Sequence, residues 1–179
     1  MNLIKKLFLL SITLFIYCAA NAQVEVARLS SKNFSATGFG GFINISIPIA
    51  DANSGIVEGG VYVFSNNGSH EAVAPLLIGF RHLLTDADNG FYFEPVAGYT
   101  FGATDIQETD ANGNVLTKPD GSELDRKVAG VNAGMGFGYL FEPSGRIRFN
   151  ISLRYEHTFV MHDPGLNIIA LRISHSFSF

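Results

Sequence analysis

The chain closes on Leu171-Arg172-Ile173-Ser174-His175-Ser176-Phe177-Ser178-Phe179, where polar even positions interleave with a largely apolar odd row. Such alternation marks a strand with one apolar and one polar face. Chain ends of soluble domains usually fray into water, so two exposed terminal phenylalanines fit poorly there. They fit a membrane barrel, whose last strand closes against its first and shows one face to lipid.

The other end agrees. Lys5 and Lys6, an apolar run from Leu7 to Tyr17 and Ala20-Asn21-Ala22 read as a secretory signal cleaved after Ala22. The apolar run falls short of the ~20 residues a membrane helix needs. Residues 1–22 are thus expected to be a cleaved signal peptide and residues 23–179 one domain. Tyr17 is too large to precede a lipidated cysteine, so Cys18 leaves with the signal and the mature chain has no thiol. Losing Lys5 and Lys6 takes the formal charge from −4 to −6, which argues against nucleic acid as a partner. No other apolar run is long enough for a membrane helix, so any crossing must use strands.

Alternation recurs through the mature sequence. From Arg146 to Phe159 the even positions are Arg146, Arg148, Asn150, Ser152, Arg154, Glu156 and Thr158, and the odd ones are mostly apolar. Residues 127–141 oppose Val131, Met135, Phe137 and Tyr139 to Gly130, Asn132, Gly134, Gly136 and Gly138. A glycine row suits a narrow lumen filled by long side chains from opposite. Further strands are predicted at 37–49, 56–65, 72–83, 91–101 and 167–179, with Glu58, Tyr62 and Arg81 pointing inward. An even strand number requires an eighth at 24–33, where Val24 and Val26 alternate with Glu25 and Ala27. Short connections at 50–55, 84–90 and 142–145 then fall on one side, and 66–71, 103–126 and 160–166 on the other. Pro75 and Pro95 are expected near strand starts, where a missing ladder donor is tolerable. With no tryptophan, an interfacial girdle would use Phe91, Tyr99, Phe137, Tyr139, Tyr155 and Phe177.

The segments Ala74-Pro75-Leu76-Leu77-Ile78-Gly79-Phe80-Arg81, Gly90 to Tyr99, Gly134-Met135-Gly136-Phe137-Gly138-Tyr139 and Leu153-Arg154-Tyr155 resemble the small outer-membrane barrels of the OmpX/OmpA-like, porin-superfamily type. The resemblance implies an eight-stranded antiparallel transmembrane β-barrel in the bacterial outer membrane. It also implies monomeric insertion by the barrel-assembly machinery through the terminal strand, here Leu171, Ile173, Phe177 and Phe179. Outer-membrane lipids and lipopolysaccharide are the expected surroundings; no protein partner can be named.

Inside such a barrel, Glu58, Arg81, Glu94, Arg146, Arg148, Arg154, Glu156 and Arg172 are expected to pair as a salt-bridged plug, because an eight-stranded lumen is just wide enough to be filled. The surplus of arginine in that set leaves a small anion-preferring pore as the alternative. A third reading comes from Arg154-Tyr155-Glu156-His157-Thr158-Phe159 and Asp163-Pro164-Gly165-Leu166-Asn167, which is similar to the lipid A deacylase barrels. Those place a serine two residues after the histidine and a carboxylate beyond the turn. Here Phe159 and Asn167 or Ile168 occupy these places, and Thr158 should face away from His157. No catalytic residue, metal ligand or cofactor is expected. His157, His162 and Asp163 match no metal spacing. Asp110-Ala111-Asn112-Gly113-Asn114 has its glycine too early for a calcium loop, so 103–126 reads as an exposed acidic hairpin turning at Asn112-Gly113 and Asp120-Gly121.

Overall fold

The computed structural model describes residues 22–32, 34–85, 89–108, 110, 114–124, 126, 128–141, 147–160 and 165–177. The signal sequence up to Asn21, Arg146, His162, Asp163, the Asn112-Gly113 turn and Phe179 lie outside these residues. Eight strands follow one another: β1 (Ala22–Ser30), β2 (Ser35–Ala50), β3 (Asn53–Asn66), β4 (Ser69–Leu83), β5 (Gly90–Thr104), β6 (Gly130–Phe141), β7 (Ile147–Phe159) and β8 (Leu166–Phe177). Each pairs antiparallel with its sequence neighbours, and β1 pairs with β8 to close the barrel. Closure leaves no unpaired sheet edge, as a strand structure in lipid requires.

The weakest strand in sequence is held along both sides. Val24 lies opposite Gly41 on β2 and Ile173 on β8, and the seam runs from Gln23–Ser174 to Ser30–Asn167. The chain leaves β1 earlier than its alternation suggests, because Ser31 turns back to Phe34, with both its backbone N–H and its hydroxyl donating to the Phe34 carbonyl.

Because strand side chains alternate, every strand separates into an inward and an outward row. The outward row is apolar: Phe39, Val63, Ile78, Val131, Leu153 and Ile173 are each more than half exposed. The inward row holds Arg154 and Arg172 at 2% and 1% exposure, with Glu25, Glu58 and Glu94 equally buried. This arrangement is inverted relative to a water-soluble sandwich. So continuous an apolar belt exceeds what a soluble monomer leaves uncovered; lipid is the solvent that suits it. Aromatic side chains gather toward both ends. Phe91 stacks on Phe137 and meets Tyr139 edge-on, while Tyr99 packs against Phe101 near the opposite rim.

Pro75 and Pro95 lie deeper in β4 and β5 than expected, because both strands start earlier. The β3–β4 ladder lapses between Gly59–Leu76 and Tyr62–Val73, and the β4–β5 ladder between Gly79–Val96 and His82–Phe93. Each proline keeps a partner on its other side, Thr100 for Pro75 and Met135 for Pro95. An antiparallel residue directs its N–H to one neighbour only, so losing that donor weakens one ladder and spares the other.

The connection between β3 and β4 is the two-residue turn Asn67-Gly68, with φ of 51° and 84°. That pair of left-handed residues forms the type I′ turn whose twist matches the flanking strands.

Glycines on inward rows make room for long side chains. A Cβ on Gly138 would lie 2.6 Å from both the Tyr92 hydroxyl and Ser152 Cβ. Gly138→Ala is therefore expected to destabilise the barrel by about 1–3 kcal/mol, the usual cost of overpacking. Gly41→Ala, whose Cβ would meet nothing within 4 Å, should be near neutral. Urea unfolding midpoints of the two variants in one detergent check this; equal midpoints would contradict the packing argument.

Candidate functional site

The lumen carries the chain's densest polar chemistry. At its centre Arg172, from β8, donates from Nη1 and Nη2 to the two oxygens of Glu58 at 2.6 and 2.8 Å, and from Nε to Glu25 at 2.5 Å. Arg154, from β7, donates to the Glu58 carboxylate with one terminal nitrogen and to Glu94 with the other. Arg81 completes the chain, its Nε donating to Glu94 at 2.7 Å. Planar guanidinium forks suit such bridging between carboxylates. Neutral donors fill the remaining positions: Asn44 donates to Glu58 at 3.0 Å, and the Tyr62 hydroxyl to Glu25. Two rings flank the cations, Tyr92 4.6 Å from Arg81 and Phe42 5.5 Å from Arg172.

Glu156 stands to one side. It accepts from Asn132 Nδ2 at 2.9 Å and lies 3.6 Å from Arg154. Thr100 and Thr158 complete that corner, with Thr158 donating to Thr100 at 3.1 Å. Toward the end marked by β4 and β5, the Tyr92 hydroxyl donates to Asn150 at 2.7 Å.

The structure thus brings Glu58, Arg81, Glu94, Arg154, Glu156 and Arg172 together. Arg148 is half-buried on the same inward row of β7, next to Asn150, outside these contacts. Two groups that sequence reasoning left out of the set are central. Glu25 is fully buried and bonds Arg172; the alternation of β1 was its one signal. Glu71 and Arg126 pair with each other, and Arg126 also donates to the Ser31 hydroxyl at 2.6 Å. Nothing in the loop sequence set Arg126 apart from its exposed neighbours. Glu25 shrinks the expected arginine surplus: among the described residues, Glu25, Glu58, Glu94 and Glu156 face Arg81, Arg148, Arg154 and Arg172.

Above the ionic layer lies an apolar one. Leu29, Phe34, Ala36, Phe64, Val73, Val128, Val160, Leu166 and Ile168 pack as one buried cluster. Phe34, Val128 and Val160 come from the connecting segments rather than from strands, so the loops fold inward over this mouth.

The long connection after β5 is more ordered than a simple hairpin. Its three segments bond in a cycle: Glu108 N–H to the Leu124 carbonyl, Leu124 N–H to Leu116, and Leu116 N–H to Glu108. A turn at Gly121, with φ of 84°, links the last two. There Ser122 donates from its hydroxyl and backbone to Asp120, holding that carboxyl below the usual range.

Of the deacylase-like segment, Tyr155, His157 and Phe159 lie on the outward row of β7. His157 Nδ1 donates to Asn167 Oδ1 at 2.9 Å, and the Tyr155 hydroxyl donates to the same oxygen at 2.7 Å. Thr158 points into the lumen, and Phe159 meets the His157 ring edge-on at 4.4 Å. Among the described residues, no serine or threonine hydroxyl bonds His157, so the activated nucleophile of a triad is missing.

Glu58 carries two guanidinium groups, so Glu58→Ala should leave both buried without their shared anion. The expected loss is about 3–5 kcal/mol, as for breaking one partner of a buried pair. Glu123→Gln, in the exposed loop, should stay within about 0.5 kcal/mol. Unfolding midpoints by tryptophan-free near-ultraviolet tyrosine signal test this, and a Glu58 variant as stable as wild type would sink it.

No protein-family profile matches the sequence, and no curated protein matches it significantly. Solved structures do resemble its fold. Neisserial surface protein A superposes with a TM-score of 0.69 over 89% of this chain and 95% of its own, at 15% identity. Ail, the attachment invasion locus protein of Yersinia pestis, gives 0.54 over 89% and 97%, at 10% identity. Its complex with the heparin analogue sucrose octasulfate gives 0.50 over the same shares, at 11% identity. The architecture of this chain, a closed eight-stranded antiparallel barrel with an apolar outer belt, is the fold of these outer-membrane proteins.

Proposed function

We propose that this protein is a non-enzymatic outer-membrane barrel whose lumen is sealed, and that it serves the cell envelope as a structural or surface-interaction element. The observation that carries the reading is a pair of side-chain layers set across the lumen. An ionic layer around Glu58, Arg154 and Arg172 fills the waist, and an apolar layer around Phe34, Val128 and Leu166 fills one mouth. Ions crossing the barrel would have to displace both. With Arg148 on the same inward row, four described arginines meet four glutamates, which weakens the basis for anion preference.

The surface role draws support from what the closed barrel leaves available. The loop after β5 builds a cyclic three-segment projection, exposing Val115 and Leu116 beside acidic side chains. Ail, named for attachment and invasion, shares the fold, so such a barrel can carry an adhesive role. Retention in the envelope would rest on the apolar belt, with Leu171 and Ile173 on the outward row of the terminal strand. Phe177 occupies that strand too, opposite Ile147. The assembly machinery is proposed to engage this strand.

Planar bilayers provide the test. The purified barrel should give no step-like conductance, and lipid A from cells with and without it should have identical masses. Anion-selective steps weakened by Arg154→Ala would establish the pore instead. A mass loss of one acyl chain, abolished by His157→Ala, would establish the enzyme.

A further inference from the structure

Among the described residues, Arg28 is the only lysine, arginine, aspartate or glutamate on the outward row of any strand. Every other charged strand residue points into the lumen. Arg28 is exposed, and among the described residues it has no ion pair. It sits two residues before the end of β1, at the rim where β7 ends and β8 begins. A lone cation on a lipid-facing surface is tolerated near the interface, where headgroups begin.

Its neighbours are unlike the rest of that rim. Register places Arg28 beside Ile169, which lies beside Tyr155; one step further out, Ser30 lies beside Asn167, which lies beside His157. On β2 the adjacent outward residues are Thr37 and Ser35. Lys32 is exposed in the connection just above. On the opposite side of the barrel the outward positions at the level of Arg28 are Val63, Ala72, Phe101 and Val131, with the neutral pair Ser65 and His70 one step further out on β3 and β4. Among the described residues, basic charge at this rim's outward rows is therefore confined to the β7–β8–β1–β2 sector.

Hydrogen-bond polarity gives this sector a sign. The Asn167 carbonyl oxygen already accepts from both Tyr155 and His157. Its amide nitrogen, turned away from those two donors, has only N–H groups to present. Guanidinium, ammonium and amide donors thus share one patch, and among the described residues no carboxylate lies on its outward rows. A cationic patch of this kind next to the apolar belt fits an amphiphile with an anionic head and acyl tails.

We propose that this rim sector binds the phosphate of an outer-leaflet lipid headgroup. Arg28 is the principal contact, with Asn167 and Lys32 assisting, while the acyl chains lie along Ile169, Leu171 and Val26. The site rests on the outer-membrane reading above and is independent of whether the lumen conducts.

The test uses full-length mature barrel in phosphatidylcholine nanodiscs containing lipid A with or without its phosphates. Retained lipid A is counted by native mass spectrometry. The wild-type barrel should prefer the phosphorylated form, and Arg28→Gln should lower that preference about tenfold, as expected for one charge-assisted hydrogen bond. Ser65→Ala, on the distant β3 rim, should leave it unchanged. Circular dichroism confirms that each variant is folded. Equal retention of the two lipid A forms by the wild type, or an undiminished preference in Arg28→Gln, would overturn the site. Complete displacement by inorganic phosphate would also overturn it, since the ligand would then be free phosphate. A silent or conducting bilayer bears only on the sealed-lumen reading, so the two can fail separately.

Discussion

Arg154 and Arg172 reach from adjacent strands into one lumen and divide the Glu58 carboxylate between them. Much of the rest of the barrel arranges itself around that three-way contact. Two guanidinium groups that are 1–2% exposed carry a large desolvation cost, which is offset only by good geometry and satisfied hydrogen bonds. Glu25 and Glu94 supply further acceptors to the guanidinium groups from β1 and β5, while Asn44 and Tyr62 donate to the Glu58 and Glu25 carboxylates from β2 and β3. The ionic cluster therefore ties together strands far apart in sequence, and a register slip would turn its members toward lipid. In a molecule whose outer surface is apolar, this interior polar lattice supplies much of what makes one register unique.

The alternation that made the strands legible also placed most of the lattice. Glu58, Glu94, Arg154, Glu156 and Arg172 lie on inward rows because side chains on a strand repeat every two residues. The same rule explains why Thr158 and His157 part company. Glu25 was obscured because β1 is short and its apolar row begins with only Val24 and Val26. Its burial depends on closure against β8, a contact between the chain's two ends that no local pattern contains. Arg126 was obscured for a different reason. Its partners Glu71 and Ser31 lie 55 and 95 residues away, and an arginine in an acidic loop looks solvent-exposed. Pro75 lies deeper in its strand than alternation suggests, because Ser69, His70 and Glu71 extend β4 without adding an apolar signal.

The two faces of the sheet assign separate tasks. Inside, an ionic waist and an apolar layer toward one mouth line the barrel. Outside, among the described residues, the apolar belt is broken by charge at one strand position, Arg28, and by the polar Tyr155–Asn167–His157 cluster beside it. Beyond the rim, the loop after β5 folds into a bonded projection rather than a loose excursion. Lipid contact and surface contact thus fall to different sectors of one barrel.

The inverted faces make the central claim directly measurable, through the electrophoretic mobility of the protein in the outer-membrane fraction with and without boiling in detergent. A closed ladder with a hydrogen-bonded interior should survive detergent unheated and migrate as a compact species, then shift on boiling. Absence from that fraction, or one mobility under both conditions, would contradict the account. It would favour a soluble carrier with the arginine-rich rows facing water and the phenylalanines facing a cavity.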